Sequence, residues 1–360
     1  MASLEIAIAG GGLMGRLTAW RLLLAGHRVS LFEAGSLEEC PGAAATAAGM
    51  VSPLAELVDS EQRIFEMGMQ SMQLWKQWLP DLVGGPALFH EQGSIVVAHP
   101  QDQSELDYFS RQLQYHQAPS DFYESLDSTA LQQQEPTLSH FTQGLLLKPE
   151  AHIDNQALLP LLLAEILKLG GICKAHCPIE SISEQGLVSS EGTIKADWHI
   201  DCRGMGAKTL NNHSLRGVRG EVLWVQTDEI TLQRPVRLLH PRYKLYIVPK
   251  PNQHFIIGAT EIESEDVSNI SLQSSLELSS ALYSLNPAFA EARVVKSAVN
   301  LRPALMDNMP LIEQRPGYLY ANGLYRHGYL LAPTMVAELL SHIDSGNRAK
   351  TANTAKLQPA

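Results

Sequence analysis

The sequence predicts an α/β protein with a Rossmann-like dinucleotide-binding domain and a second domain of antiparallel β-sheet plus helices. Three observations lead to this fold class. A strand, a glycine turn, a helix and a second strand follow one another within residues 5–33, and an α/β rhythm returns over residues 155–202. Short β-rich runs interrupted by prolines occupy residues 217–259. A chain of 360 residues is long enough for two such domains.

The first element is a βαβ unit that carries a dinucleotide-binding pattern. An apolar strand at 5–9 leads into glycines at positions 10, 12 and 15, an amphipathic helix over 16–24 and a strand over 27–32. Gly10 permits the tight turn, Gly12 lets the backbone approach a pyrophosphate, and Gly15 lets helix and strand pack closely. Glu33 ends the second strand, where its carboxylate can accept hydrogen bonds from an adenosine ribose. This spacing is compatible with either NAD or FAD.

The remaining elements define the domain organisation. Hydrophobic periodicity predicts helices at 64–78, 104–115, 155–169, 272–285 and 334–343, and strands at 94–98, 172–182, 198–202, 221–226, 244–248, 255–257 and 318–321. We therefore predict a discontinuous nucleotide-binding domain of residues 1–84, 145–215 and 300–345. Residues 85–144 and 216–299 would form the substrate-binding domain, and residues 346–360 a polar, frayed tail.

Composition and charge exclude several classes of function. A formal net charge of −11 argues against a nucleic acid as the main partner. The first residues have no basic leader, and the longest apolar run, around residues 158–169, is interrupted by charges and falls short of the ~20 residues of a membrane span. We expect a cytoplasmic protein without an integral membrane segment. The four cysteines are too few and too irregularly placed for a disulfide framework. Cys173 and Cys177 are spaced C-x3-C, but no second cysteine or histidine pair completes a tetrahedral zinc site, so no metal is predicted.

Several segments together resemble the D-amino-acid oxidase family of flavoproteins, and within it the glycine oxidases of thiamine biosynthesis. The resemblance extends over nearly the whole chain and lies in residues 6–15 with Glu33, 47–50, 201–204, 219–221, 246–250, 257–260, 301–303 and 325–333. It implies a Rossmann-like FAD-binding domain of the GR2 type and a noncovalent FAD. Family members with covalent flavin use a cysteine late in the chain, whereas this chain has none after Cys202.

The resemblance also implies which residues contact the cofactor. These residues would lie along the whole cofactor, at its pyrophosphate, its adenosine ribose, its middle section, its adenine and its flavin ring. They comprise Gly10, Gly12, Leu13, Met14, Gly15, Glu33, Ala34, Ala43, Ala44, Ala48, Gly49, Met50, Ile179, Gly204, Leu324, Tyr325, Arg326, His327, Gly328, Tyr329 and Leu330. The family often has histidine where this chain has Leu324 and asparagine where it has His327, so the surroundings of the flavin differ here.

Three residues match substrate-binding positions of the family. Arg302 matches the carboxylate-binding arginine, whose planar donors suit two parallel hydrogen bonds to a carboxylate. Arg326 matches a second contact, and Tyr246 a tyrosine whose hydroxyl closes over the substrate. Without the resemblance, Arg302 would be interpreted as a surface charge and Tyr246 as a core residue. No acid or base is predicted among the catalytic residues, because the flavin carries the chemistry.

The resemblance implies oxidative deamination of a small amino acid or amine. Hydride would pass from the α-carbon to flavin N5, and O₂ or another acceptor would reoxidise the flavin, giving H₂O₂ in the case of O₂. The imine product could feed thiazole synthesis for thiamine. An N-demethylating oxidase or dehydrogenase acting on sarcosine or a modified base, a D-amino-acid dehydrogenase and a non-catalytic FAD-holding subunit stay open as alternatives. A homo-oligomer is compatible with the sequence.

Overall fold

The computed structural model describes residues 3–208, 214–241 and 243–355, with side chains omitted at 243–244 and 347–355. The chain divides into two compact units. The first unit comprises Met1–Ala45, Gln156–Gly217 and Arg302–Ala360, and the second comprises Thr46–Asn155 and Val218–Leu301. Both units are therefore assembled from discontinuous segments.

The described residues form twenty strands and nine α-helices. The strands are β1 (Glu5–Ala9), β2 (Arg28–Phe32), β3 (Met50–Val51), β4 (Phe89–His90), β5 (Ser94–Ala98), β6 (Tyr123–Asp127), β7 (Gln143–Leu147), β8 (Ala151–Ile153), β9 (Ile172–Lys174), β10 (Ile179–Ser183), β11 (Gly186–Ser189), β12 (Gly192–Ile194), β13 (Trp198–Asp201), β14 (Arg216–Gln226), β15 (Val236–His240), β16 (Tyr243–Lys250), β17 (His254–Gly258), β18 (Arg293–Ala304), β19 (Leu311–Arg315) and β20 (Tyr318–Asn322). The helices are α1 (Leu13–Leu24), α2 (Ala43–Thr46), α3 (Pro53–Asp59), α4 (Gln62–Trp78), α5 (Gln103–Tyr115), α6 (Ser128–Gln134), α7 (Asn155–Lys168), α8 (Leu272–Leu285) and α9 (Gly328–Ala355).

The first unit is built on a six-stranded sheet of order β19-β20-β13-β1-β2-β9. Its strands are parallel except for β19, which pairs antiparallel with β20. Ile8 of the central strand pairs with Leu31 on one side and Ile200 on the other, and all three side chains are fully buried. Strands buried on both faces are typical of parallel sheets covered by crossover helices. Helices α1 and α9 pack against each other, and β10-β11-β12 form a small antiparallel sheet.

The second unit is built on an eight-stranded sheet of order β18-β14-β17-β16-β15-β5-β7-β6. Most neighbours are antiparallel, and β15 pairs parallel with β5. One hydrophobic cluster joins the sheet to α8 through Leu278 and Leu282, and another joins it to α3 and α5 through Leu54 and Phe109. A separate three-stranded sheet has the order β3-β8-β4.

The predicted fold class is confirmed, and the individual elements match with shifted ends. The predicted helix at 272–285 and the strands at 5–9 and 94–98 have the predicted bounds, whereas the single strand predicted over 172–182 is two strands, β9 and β10. The last helix begins at Gly328 and continues to Ala355, so residues 346–355 are helical instead of frayed. Five of the ten residues 346–355 are alanine, arginine or lysine, which favour helix.

The compact units differ from the predicted domains mainly in where two segments belong. Residues 46–84 and 145–155 belong to the second unit by compactness, although the sequence assigned them to the nucleotide-binding domain. The reason is packing, because Leu54 and Leu57 of α3 are buried in the same cluster as Val96 and Leu145 of the eight-stranded sheet. The functional division into cofactor and substrate domains stays a prediction. Within the described ranges no helix combines the length and apolarity needed to cross a membrane.

Candidate active site

The glycine turn between β1 and α1 is the first part of the candidate site. Gly10 has a φ of +103°, and a Cβ there would lie 2.4 Å from the carbonyl oxygen of Cys202. A Cβ on Gly15 would lie 1.8 Å from the carbonyl oxygen of Gly10, whereas a Cβ on Gly12 would meet nothing within 4 Å. Gly10 and Gly15 are therefore required by the fold itself. The open space at Gly12 is free for a ligand to approach the backbone.

The N-terminus of α1 offers donors that no side chain of the helix satisfies. Gly12 is the N-cap and makes no side-chain capping bond, and the first turn contains no acidic residue. Leu13 and Met14 begin the helix and are buried. Unsatisfied amides and the helix dipole together favour an anion at this end. This is the chemistry that a pyrophosphate requires.

Glu33 closes the turn from the other side. Its carboxylate accepts hydrogen bonds from the backbone N–H of Gly11 at 2.6 Å and of Gly35 at 3.0 Å. The carboxylate is half-buried and keeps further lone pairs, so it can also accept bonds from a ribose. Ala34, the next predicted contact, is exposed. An open Gly12, an uncapped helix and a fixed acceptor fit the adenosine diphosphate half of FAD.

A second group of predicted residues converges at the carboxyl ends of β13 and β20. The Nδ2 atom of Asn322 donates to the carbonyl oxygen of Gly204 at 2.9 Å. The backbone N–H of Tyr325 donates to the carbonyl oxygen of Pro303 at 2.9 Å, which brings the segments of Arg302 and Arg326 together. Ligand sites of open α/β sheets lie at this edge.

Side-chain contacts further tie these loops together. The hydroxyl of Tyr329 donates to the carbonyl oxygen of Ala44 at 3.1 Å, which joins the short helix α2 to the start of α9. The Nε atom of Arg326 lies 3.3 Å from Nε2 of His327, and both Leu324 and His327 are buried. Gly328 and Leu330 belong to the first turn of the same helix. The structure thus brings together Arg302, Arg326 and most of the residues predicted for the flavin end.

Ile179 lies beside the carboxyl end of β13. Its carbonyl oxygen accepts a hydrogen bond of 2.7 Å from Arg203, whose guanidinium also binds Asp201 at 2.7 Å. Both side chains of this ion pair are nearly fully buried. The pair fixes the loop after β13 but leaves no free charge for a ligand.

The predicted residues of the second unit lie on two of its sheets. Ala48 is buried, Gly49 has a φ of +74°, and Met50 begins β3. A Cβ on Gly49 would lie 2.2 Å from the carbonyl oxygen of Ile153, so β8 packs directly on this residue. Tyr246 lies half-buried on β16, and a Cβ on Gly258 of the neighbouring strand would lie 2.9 Å from its hydroxyl oxygen.

Ionisable groups close to this segment have shifted pKa values. Burial lowers the pKa of Lys250 to about 8, and burial together with the charges of Lys250 and His90 lowers the pKa of His152 to about 2. In the first unit, burial raises the pKa of the Cys40 and Cys202 thiols. Both thiols are therefore protonated and unreactive at neutral pH. In the described part of the chain no group of three or more His, Cys, Asp or Glu side chains can hold a metal ion.

Two residues that the sequence analysis did not single out hold the backbone of predicted cofactor-binding segments. Arg16 binds the carbonyl oxygen of Gly11, and Asn155 binds that of Ala47. A polar residue inside an apolar helix was the available signal for Arg16, whereas Asn155 resembles an ordinary helix-start residue.

This chain is similar to known proteins over nearly its whole length. The profile of the family described as FAD dependent oxidoreductase matches residues 5–343. A Rhizobium etli protein named as the thiamine biosynthesis oxidoreductase ThiO is 39% identical over 93% of this chain and 95% of its own length. The glycine oxidase of Bacillus licheniformis is 28% identical over 96% of this chain and 94% of its own length. The crystal structure of glycine oxidase from Geobacillus kaustophilus superposes with a TM-score of 0.84 at 23% identity, covering 96% of this chain and 95% of that one.

Proposed function

Because the chain belongs to the family of FAD dependent oxidoreductases, we propose that it oxidises a small amino acid, glycine being the simplest candidate. The observation that carries the proposal is similarity over nearly the whole chain to ThiO and glycine oxidase proteins. The enzyme is an FAD-dependent oxidoreductase of the glycine oxidase type. Its substrate, its electron acceptor and the fate of its product are parts of the proposal.

Arg302 is proposed to bind the carboxylate of the substrate. It lies half-buried on β18, and the Tyr325 to Pro303 bond places its segment beside that of Arg326. Two guanidinium groups on adjoining segments favour an anionic substrate over a neutral amine. A bidentate contact would also orient the α-carbon, which is the main requirement for hydride transfer between two bound groups.

Tyr246 is proposed to bind the substrate through its hydroxyl. The Tyr246 ring packs on the backbone of Gly258. A side chain at position 258 would displace the ring, so the glycine is needed for the present position of the hydroxyl. The half-buried ring packs against the apolar residues Val222, Val248 and Ile256. An apolar surrounding strengthens a polar contact that the hydroxyl makes with a substrate.

FAD, when bound, supplies the chemistry by accepting two electrons as a hydride and passing them to an acceptor. The amino acid loses this hydride from its α-carbon and a proton from its nitrogen, giving an imine. Hydrolysis of the imine gives an oxo acid and ammonia, and transfer of the electrons to O₂ gives H₂O₂. Similarity to a protein named for thiamine biosynthesis supports use of the imine in thiazole synthesis.

Anaerobic addition of glycine, sarcosine or D-alanine to the purified yellow holoprotein tests this function. We expect glycine to bleach the visible flavin absorbance and, under air, to yield one H₂O₂ for each glycine consumed. Bleaching without H₂O₂ would indicate a dehydrogenase. Absence of bleaching with every amine would contradict the proposal and favour a non-catalytic FAD-holding role.

A further inference from the structure

Arg16 is a fully buried arginine in the first turns of α1, immediately after the glycine turn. Its Nε atom donates to the carbonyl oxygen of Gly11 at 2.6 Å, and its Nη1 atom donates to that of Leu159, also at 2.6 Å. Its Nη2 atom donates to the carbonyl oxygen of Leu37. One guanidinium therefore ties together the glycine turn, the loop after β2 and the crossover helix α7.

These contacts satisfy hydrogen bonds of Arg16, but all three acceptors are neutral backbone carbonyls. Across the described residues, no Asp or Glu side chain lies within ion-pair distance of its guanidinium. An arginine side chain stays protonated at every physiological pH. A buried charge without a direct ion-pair partner is costly, and Glu33 acts on it only across the Gly11 peptide, so a further anion near Arg16 would be stabilising.

Gly11 connects Arg16 to the anion-binding end of the helix. The N–H of Gly11 donates to Glu33, and its carbonyl oxygen accepts from Arg16, so both sides of this residue are fixed by opposite charges. The neighbouring Gly12 has open space above it, and the first turn of α1 has no acidic residue. The positive charge of Arg16 and the positive end of the helix dipole thus act at the same place.

We propose that Arg16 is the buried counter-charge for the cofactor's diphosphate and positions the glycine turn that receives it. This proposal rests on the assignment of the glycine turn as the diphosphate site of FAD. Arg16 is a positioning residue, because it acts through the Gly11 peptide and through its electric field. Its contribution should depend on the two phosphates of the ligand and not on the adenosine.

Binding of ADP and of adenosine to full-length protein freed of FAD tests the proposal by calorimetry. Arg16→Met should weaken ADP binding by about tenfold or more, the effect expected when a charged interaction is lost. Adenosine binding should change less than about twofold. Arg16→Lys, which keeps the charge, should retain most of the affinity for ADP. The control Arg28→Met removes an exposed arginine paired with Glu5 and should alter neither affinity.

Parallel loss of ADP and adenosine binding in Arg16→Met would show a merely structural role and overturn the proposal. Unchanged ADP affinity, or equal loss of ADP binding in the Lys and Met variants, would overturn it as well. If Arg16→Met does not unfold cooperatively, Arg16→Gln replaces it, because the glutamine amide can still donate to Gly11. The result is independent of the amine that the enzyme oxidises, so failure of the proposed substrate would leave it intact.

Discussion

Lys250 donates a hydrogen bond of 3.1 Å to the Oδ1 atom of Asn155, and the two residues together hold the chain at residues 47–49. The Nδ2 atom of Asn155 donates to the carbonyl oxygen of Ala47 at 2.7 Å, and Lys250 donates to that of Ile153 at 2.8 Å. The N–H of Ile153 in turn donates to the carbonyl oxygen of Gly49 at 2.8 Å. Both polar side chains are buried, so water cannot replace these bonds.

We expect Asn155→Ala to weaken FAD binding, because residues 48–50 are proposed to contact the middle of the cofactor. Loss of the amide leaves the Ala47 carbonyl and the Lys250 ammonium short of a partner, which costs about 1–3 kcal/mol for each buried group. Fluorescence titration of the apoprotein with FAD measures the effect. The control Gln156→Ala removes a similar amide bond of 2.8 Å to Ala45 from an exposed side chain and should change affinity little. Equal FAD affinity in both variants would contradict the role of Asn155.

Alanine substitutions at Gly12 and Gly15 should have different effects on stability and on FAD binding. A Cβ at position 15 would lie 1.8 Å from the backbone of Gly10, so Gly15→Ala should destabilise the protein with or without FAD. A Cβ at position 12 meets only open space, so Gly12→Ala should leave the apoprotein melting temperature unchanged and weaken FAD binding at least tenfold. Thermal unfolding of the apo and FAD-bound forms separates the two effects. Tight FAD binding by Gly12→Ala would show that the diphosphate does not lie there.

The βαβ unit could be predicted from the sequence, but the long-range contacts that support it could not. Local spacing predicted the tight turn at Gly10, the close packing at Gly15 and the strand end before Glu33, because such features are determined within about 30 residues. Arg16 was missed because one of its acceptors, Leu159, is 143 residues away in the chain. The helix from Gly328 to Ala355 was predicted too short because the hydrophobic pattern stops before the helix does.

Arg302→Ala should raise KM for a carboxylate substrate by orders of magnitude while FAD stays bound. The substitution removes the proposed bidentate partner of the carboxylate and touches none of the contacts of the glycine turn. The KM of Arg302→Lys should lie between those of the wild type and Arg302→Ala, because an ammonium keeps the charge but lacks the planar guanidinium donors. The control Arg315→Ala removes an exposed arginine that pairs with Glu313 on β19. A near-normal KM for Arg302→Ala, measured by steady-state kinetics with the flavin content checked by absorbance, would end the assignment.

His152 should make the protein less stable in acid. Its imidazole is buried on β8 and stacks on His90 with ring centroids 4.8 Å apart, and its surroundings lower its pKa to about 2 from an ordinary value of 6.5. The folded protein therefore binds fewer protons than the unfolded chain between these two values. The stabilisation from this group is complete above pH 6.5 and is lost as the pH falls towards 2.

One proton corresponds to about 1.4 kcal/mol for each pH unit, so His152 should lower the free energy of unfolding by about 2 kcal/mol between pH 6.5 and pH 5. His152→Phe keeps the stacked ring and removes the titration, and it should therefore flatten the slope over this range. His140→Phe changes an exposed histidine and should keep the wild-type slope. Denaturant unfolding at a series of pH values measures all three proteins. If the free energy of unfolding had the same pH dependence in the wild type and in His152→Phe, the His152 imidazole would take up a proton in the folded state. That result would contradict the lowering of its pKa by burial.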